Sequence, residues 1–145
     1  MNAILDAIAQ RRSIKGIDER TLEDLRSDHV LPDDYVVYLR RMGATPPTVM
    51  VNGKKAILDV KKVRHKSRSL KKKGHWKRIF NDARENGEDF LLIGIQTGIQ
   101  DEGHYYLHLT DMKVFEVMES GVVVERARSL AEFLFGTEFP EIVKQ

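Results

Sequence analysis

In NAILDAIAQRR, residues 2–12, Ala3, Ile4, Ala7 and Ile8 recur at helical spacing ahead of two arginines. That pattern predicts a short amphipathic helix with its cations at the negative pole of the macrodipole. After the polar stretch SIKGIDER, the segment TLEDLRSDH points Leu22 and Leu25 inward, with Thr21 the expected cap and Asp24 three residues on. LPDDYVVYLRRMG carries helix signals from end to end. Pro32 suits the first turn, Asp33 and Asp34 the positive pole, Arg40 and Arg41 the negative pole, and Gly43 the exit. Tyr35, Leu39 and Met42, with Val36 beside them, form its core-facing stripe.

Beyond Thr45-Pro46-Pro47 the pattern shortens. TVMV and KKAILDV flank Asn52-Gly53, a dipeptide that predicts a β-hairpin when it lies between apolar runs. HWKRIFNDAREN, residues 75–86, returns to helical spacing through Trp76, Ile79, Phe80 and Ala83 and stops before Gly87. From Asp89 onward alternation takes over in FLLIGIQ, HYYLHLT, KVFEVME and VVVERA, joined by TGIQDEG, Asp111-Met112 and Ser120-Gly121. Short links between alternating runs predict an antiparallel meander. SLAEFLFG closes the pattern as a helix: Ser129 and Glu132 form a capping box, Leu130, Phe133 and Leu134 turn inward, and Gly136 marks the exit. Helices followed by a sheet and a last helix predict one α+β domain over residues 1–145.

Composition agrees with a single core, since 145 residues with 41% hydrophobic and 32% charged side chains leave little material for a second. No run approaches ~18 uninterrupted apolar residues, and MNAILDAIAQRR is too short and too acidic for a signal peptide. An unexported, cytoplasmic protein is the expectation. With no cysteine, the chain cannot form disulfides, iron–sulfur clusters, Cys-ligated zinc or a thiol nucleophile.

Charge changes the picture more. Residues 54–78 hold 12 of the 24 basic residues and only Asp59 among the 22 acids, so the rest of the chain carries 12 basic against 21 acidic residues, or −9. An acidic body with one basic segment does not favour a dedicated nucleic-acid-binding domain, because the surrounding field opposes phosphate. The segment reads three ways: a solvated or self-docked excursion, a protein contact, or a phosphate-binding run through Lys61, Lys62, Lys66, Lys71, Lys72 and Lys73. Trp76 could stack on a base, but it falls in register with Ile79 and Phe80, which places it toward the core.

The order of elements, with particular residues in it, resembles the SUKH superfamily, the Smi/Knr-type group of bacterial immunity proteins and fungal cell-wall-synthesis regulators. The likeness runs over residues 17–136. It rests on the acidic helix leading into Leu31-Pro32-Asp33-Asp34-Tyr35 with Leu39 and Gly43, then Leu91-Leu92-Ile93-Gly94, Tyr105-Tyr106-Leu107, Lys113-Val114-Phe115-Glu116, and Ser129 through Phe133-Leu134. Where members often carry Asn-Gly-Gly-like residues, this chain has Met42-Gly43-Ala44, and the basic segment at about 61–86 matches no family pattern. The resemblance implies a SUKH-like domain that binds and occludes a cognate toxin domain, often a nuclease, and has no catalytic residues or cofactor.

Candidate chemistry is sparse. His104 and His108 share one face of a predicted strand, but four residues of strand span ~13 Å at ~3.3 Å each, while zinc needs its ligands ~2 Å away. No metal site is expected there. Asp101, Glu102 and His104 supply acid and base beside a glycine, as a polar hairpin tip also does, and no nucleophile motif or phosphate loop accompanies them. Alternation with Tyr105, Leu107 and Leu109 predicts that Asp101, Glu102, His104, Tyr106, His108 and Glu116 face outward and form the partner surface.

Overall fold

The computed structural model describes residues 1–28, 30–70, 90–96 and 103–144. Three helices come first: α1 (Asn2–Arg11), α2 (Glu19–Asp28) and α3 (Asp33–Met42). Leu5 and Ile8 of α1 are buried, with Ile4 and Ala7 partly covered, so its inward stripe is turned by one residue from the expected one. In α2 the cap is Asp18, whose Oδ1 accepts from the Thr21 backbone N–H at 2.7 Å, and Thr21 lies inside the helix. Leu22 and Leu25 are buried as expected, and α3 buries Tyr35, Val36, Tyr38, Leu39 and Met42.

The Asn52-Gly53 hairpin forms between β1 (Met50–Val51) and β2 (Lys54–Lys55), with φ of 52° and 76° at its two central residues. Left-handed backbone at both positions matches the right-handed twist of a strand pair. Helix α4 (Val60–Leu70) follows. Asp59, the lone acid of the basic segment, accepts from the Lys62 N–H at 3.0 Å and caps it. Thus residues 60–70 of that segment form a regular helix. Val60 and Val63 on it are buried.

Strands β3 (Phe90–Ile95), β4 (Gly103–His108), β5 (Val114–Met118) and β6 (Val123–Ala127) form the expected antiparallel meander in that spatial order. The chain then turns into α5 (Leu130–Phe135), where Ser129 Oγ accepts from the Glu132 N–H at 3.1 Å, and a four-residue α6 (Pro140–Val143) follows. The fold is α+β. The helix expected over 75–86, with Trp76, lies outside the described residues.

Both faces of the sheet are covered. Tyr105, Leu107, Val114 and Ala127 meet the α1, α3 and α5 side chains in the larger core, while Leu92, Ile95, Tyr106 and Val117 pack with Val63 of α4 on the other face. A bulge between Leu92 and Gly94 makes this possible. One extra residue shifts the side-chain parity of β3, so Ile95 joins Leu92 on the α4 face.

The two ends of the described chain are tied together through Glu138. One of its carboxylate oxygens pairs with Arg12 beyond α1, and Oε2 accepts from the Thr48 N–H at 2.8 Å ahead of the hairpin. Next to it Thr137 Oγ accepts from the Met50 N–H at 3.2 Å, and the Arg12 guanidinium lies 5.3 Å from the centre of the Phe139 ring. Among the described residues no helix is long and apolar enough to cross a membrane.

Candidate functional site

Of the residues expected to face outward, the four that are described do not. His104, Tyr106 and His108 are 2%, 2% and 7% exposed, and Glu116 is 2% exposed. For the first three the physical reason is the second layer, which buries the face they share with Leu92, Ile95 and Val117. His108 stacks on Phe90 at 4.7 Å between ring centres, with Phe115 edge-on, and its Nδ1 lies 2.8 Å from Asp111 Oδ1. Partial burial raises the Asp111 pKa, but the Lys113 backbone N–H and His108 outweigh it and hold the carboxyl below its ordinary value. Burial also pushes the Tyr106 phenol well above its usual pKa.

Glu116 is buried for a different reason. The ladder pairs it with Tyr105, not Tyr106, so it belongs to the larger-core face opposite His104 and His108. Its Oε1 accepts from Arg126 Nε at 2.8 Å, with the carboxylate side chain 3% exposed and the guanidinium side chain 22%. Alongside, Gln96 Nε2 donates to the Tyr105 hydroxyl. Burial, and then the Glu116 charge, raise the Tyr105 pKa well above the ordinary phenol range. Gln96, Tyr105, Glu116 and Arg126 thus run as a polar seam across the sheet. No expected site residue pointed to Gln96 or Arg126. The signal available was the Arg in VVVERA, of opposite sign to the Glu in KVFEVME on the preceding strand.

Arg126 also lines a pocket of about 600 Å³ between the β1–β2 hairpin, the end of β6 and the two C-terminal helices. Phe133 and Val143 give it apolar wall, and Ser129, Thr137 and Lys144 give it polar wall.

Among the described residues the open edge of the sheet is β6. Met118 N donates to Val122 O at 2.8 Å, and the register pairs Val117 with Val123, Glu116 with Val124 and Phe115 with Glu125. Antiparallel alternation therefore turns the backbone groups of Val123 and Glu125 away from β5. Among the described residues no strand occupies that side. Val122 and Val123, 55% and 51% exposed, sit at its start. The opposite edge differs, because Ile57 and Ile95 exchange backbone hydrogen bonds across it at 2.8 and 3.0 Å.

Of the lysines considered for phosphate contact, Lys61 and Lys62 are exposed on α4 and Lys66 is half-buried. Lys71, Lys72 and Lys73, like Asp101 and Glu102, lie outside the described residues. Arg64 of the same helix reaches Asp24 at 3.5 Å and Asp28 at 3.2 Å on α2. Part of the basic segment is therefore docked on the acidic body. Among the described residues no group of three or more His, Asp or Glu side chains could hold a metal ion. Compared with models of known families, with curated proteins and with solved structures, the chain matches none.

Proposed function

We propose that this chain is a cytoplasmic, non-catalytic protein-binding module of immunity type, which seats on a cognate toxin domain and occludes it. The observation that carries the reading is the edge of β6, unpaired among the described residues, where two exposed valines adjoin outward-facing backbone donors and acceptors. Natural sheets usually blunt such an edge with charge, proline or a covering segment, and β6 carries its charges, Glu125 and Arg126, in its second half, which leaves the end at residues 122–124 apolar. Left open, it suits an extended segment of a partner, with main-chain hydrogen bonds supplying affinity and side-chain contacts selectivity. The acid excess outside residues 54–78 supports a partner with a basic cleft, such as a nuclease, toward which an acidic inhibitor is steered. Asp101 and Glu102 remain proposed contacts on charge alone.

The test is to look for a toxin domain encoded beside this gene and to co-express the two; absence of such a neighbour overturns the immunity reading. The wild-type chain should rescue growth. Val123→Lys, on an exposed position, should weaken the purified complex about tenfold or more, the loss of one well-buried contact, while leaving the melting temperature unchanged. Absence of rescue overturns the immunity reading, and unchanged affinity in Val123→Lys overturns the β6 edge as its surface.

A second reading, a nucleic-acid-associated accessory protein, is favoured by the exposed row Lys61, Lys62, His65 and Arg68 on α4. The pairing of Arg64 with Asp24 and Asp28 weighs against it, because acids at the foot of the row oppose phosphate.

A further inference from the structure

We propose that the pocket beside β6 binds a carboxylate, with Arg126 as the group that recognises it. Arg126 is fixed before any ligand arrives, its Nε held at 2.8 Å by the buried Glu116 carboxylate. A guanidinium carries five N–H donors and no acceptor, and among the described residues its remaining N–H groups have no hydrogen-bond partner. The neighbouring hydroxyls point the same way. Ser129 Oγ already accepts from the Glu132 N–H and Thr137 Oγ from the Met50 N–H, so each has its proton left to donate. Lys144 adds an ammonium to the same wall. Arg126, Ser129, Thr137 and Lys144 thus bring donors to the pocket wall, and donors together favour a group that only accepts.

Charge decides which acceptor. Glu116 already compensates Arg126, and Glu132 also lines the pocket, with one oxygen accepting from the Arg128 N–H at 3.2 Å. A doubly charged phosphate would meet these two carboxylates, whereas a singly charged, planar carboxylate matches one guanidinium fork. At about 600 Å³ the space falls in the range of small-ligand sites, and Phe133 and Val143 offer apolar surface for the carbon skeleton. The carboxylate can come from a free organic acid or from an acidic side chain of a peptide. The pocket and the free β6 edge are separate observations, so this inference does not depend on the immunity reading.

The test is a titration of the ¹⁵N-labelled full chain with butyrate, butyramide, inorganic phosphate and a blocked Gly-Glu-Gly peptide, followed by amide shifts. Butyrate should give saturable shifts at Ser129, Thr137 and the Arg126 Nε–H, and butyramide none. Arg126→Gln alone strands a buried carboxylate, so the deciding variant is Glu116→Gln with Arg126→Gln, a neutral pair that can still hydrogen-bond. It should weaken butyrate about tenfold or more, as expected for loss of a charge-assisted fork, and exposed Lys144→Gln should weaken it less. If the peptide binds more tightly than butyrate the carboxylate belongs to a protein, and if less tightly, to a small acid. Equal shifts from butyramide or phosphate, undiminished binding in the double variant, or no local shift with either carboxylate would overturn the proposal.

Discussion

At position 103 there is room for hydrogen and nothing more, because a Cβ there would overlap the Glu116 carboxylate. That contact fixes where Glu116 lies, with Gly103 opposite Met118 and Tyr105 opposite Glu116 in the β4–β5 ladder. Gly103→Ala should therefore destabilise the domain by ~1–3 kcal/mol, the usual cost of overpacking, read as a lower urea midpoint at unchanged slope. The same change should displace the Arg126 Nε–H resonance, since Arg126 is held by the carboxylate that moves. At this scale the sequence was only half legible. Alternation correctly grouped Tyr105 with Leu107 in the core. It could not say that Glu116 lies on their side of the sheet, because side-chain parity within a strand does not carry across to its neighbour without the register.

Elements were more readable than residues. The Asn-Gly hairpin, the third helix, the Ser129 cap and the meander follow from local chemistry, since turn dihedrals, caps and period depend on neighbours in sequence. The β3 bulge and the role of α4 depend on what packs against them. Short-range pattern contains no such information, and so the second face of the sheet read as exposed. Cap identity has a testable consequence in α2. The Thr21 backbone N–H holds the Asp18 carboxyl below its ordinary pKa. A depressed folded-state pKa gives stability that is present above the unfolded value near ~3.9 and is lost as pH falls through the lower folded one. Asp18→Asn, which keeps an acceptor but cannot titrate, should flatten the fall of melting temperature below about pH 4. An identical acid limb in both proteins would show that Asp18 contributes nothing to it.

Over the whole molecule, the basic helix α4 meets the acidic helix α2 through Arg64, Asp24 and Asp28. If Lys61, Lys62, Lys66, Lys71, Lys72 and Lys73 engaged phosphates, nucleic-acid affinity would fall with a logarithmic salt slope of about −0.7 to −0.9 per contact. We expect only weak, sequence-blind binding near ~0.15 M salt, and toxin neutralisation that survives Lys71→Ser, Lys72→Ser and Lys73→Ser together. Sub-micromolar RNA or DNA binding lost in that triple variant would promote the nucleic-acid reading instead. The Glu138 clasp carries a consequence for biosynthesis. It joins residues 126 positions apart, which at ~5–20 residues per second separates the birth of its halves by roughly 6–25 s. Arg12 waits through that interval, and the Thr48 N–H through its last 90 residues, for a carboxylate still untranslated. A ribosome-arrested chain ending before Glu138 should stay open to protease through α1, and one that has fully released Glu138 should resist.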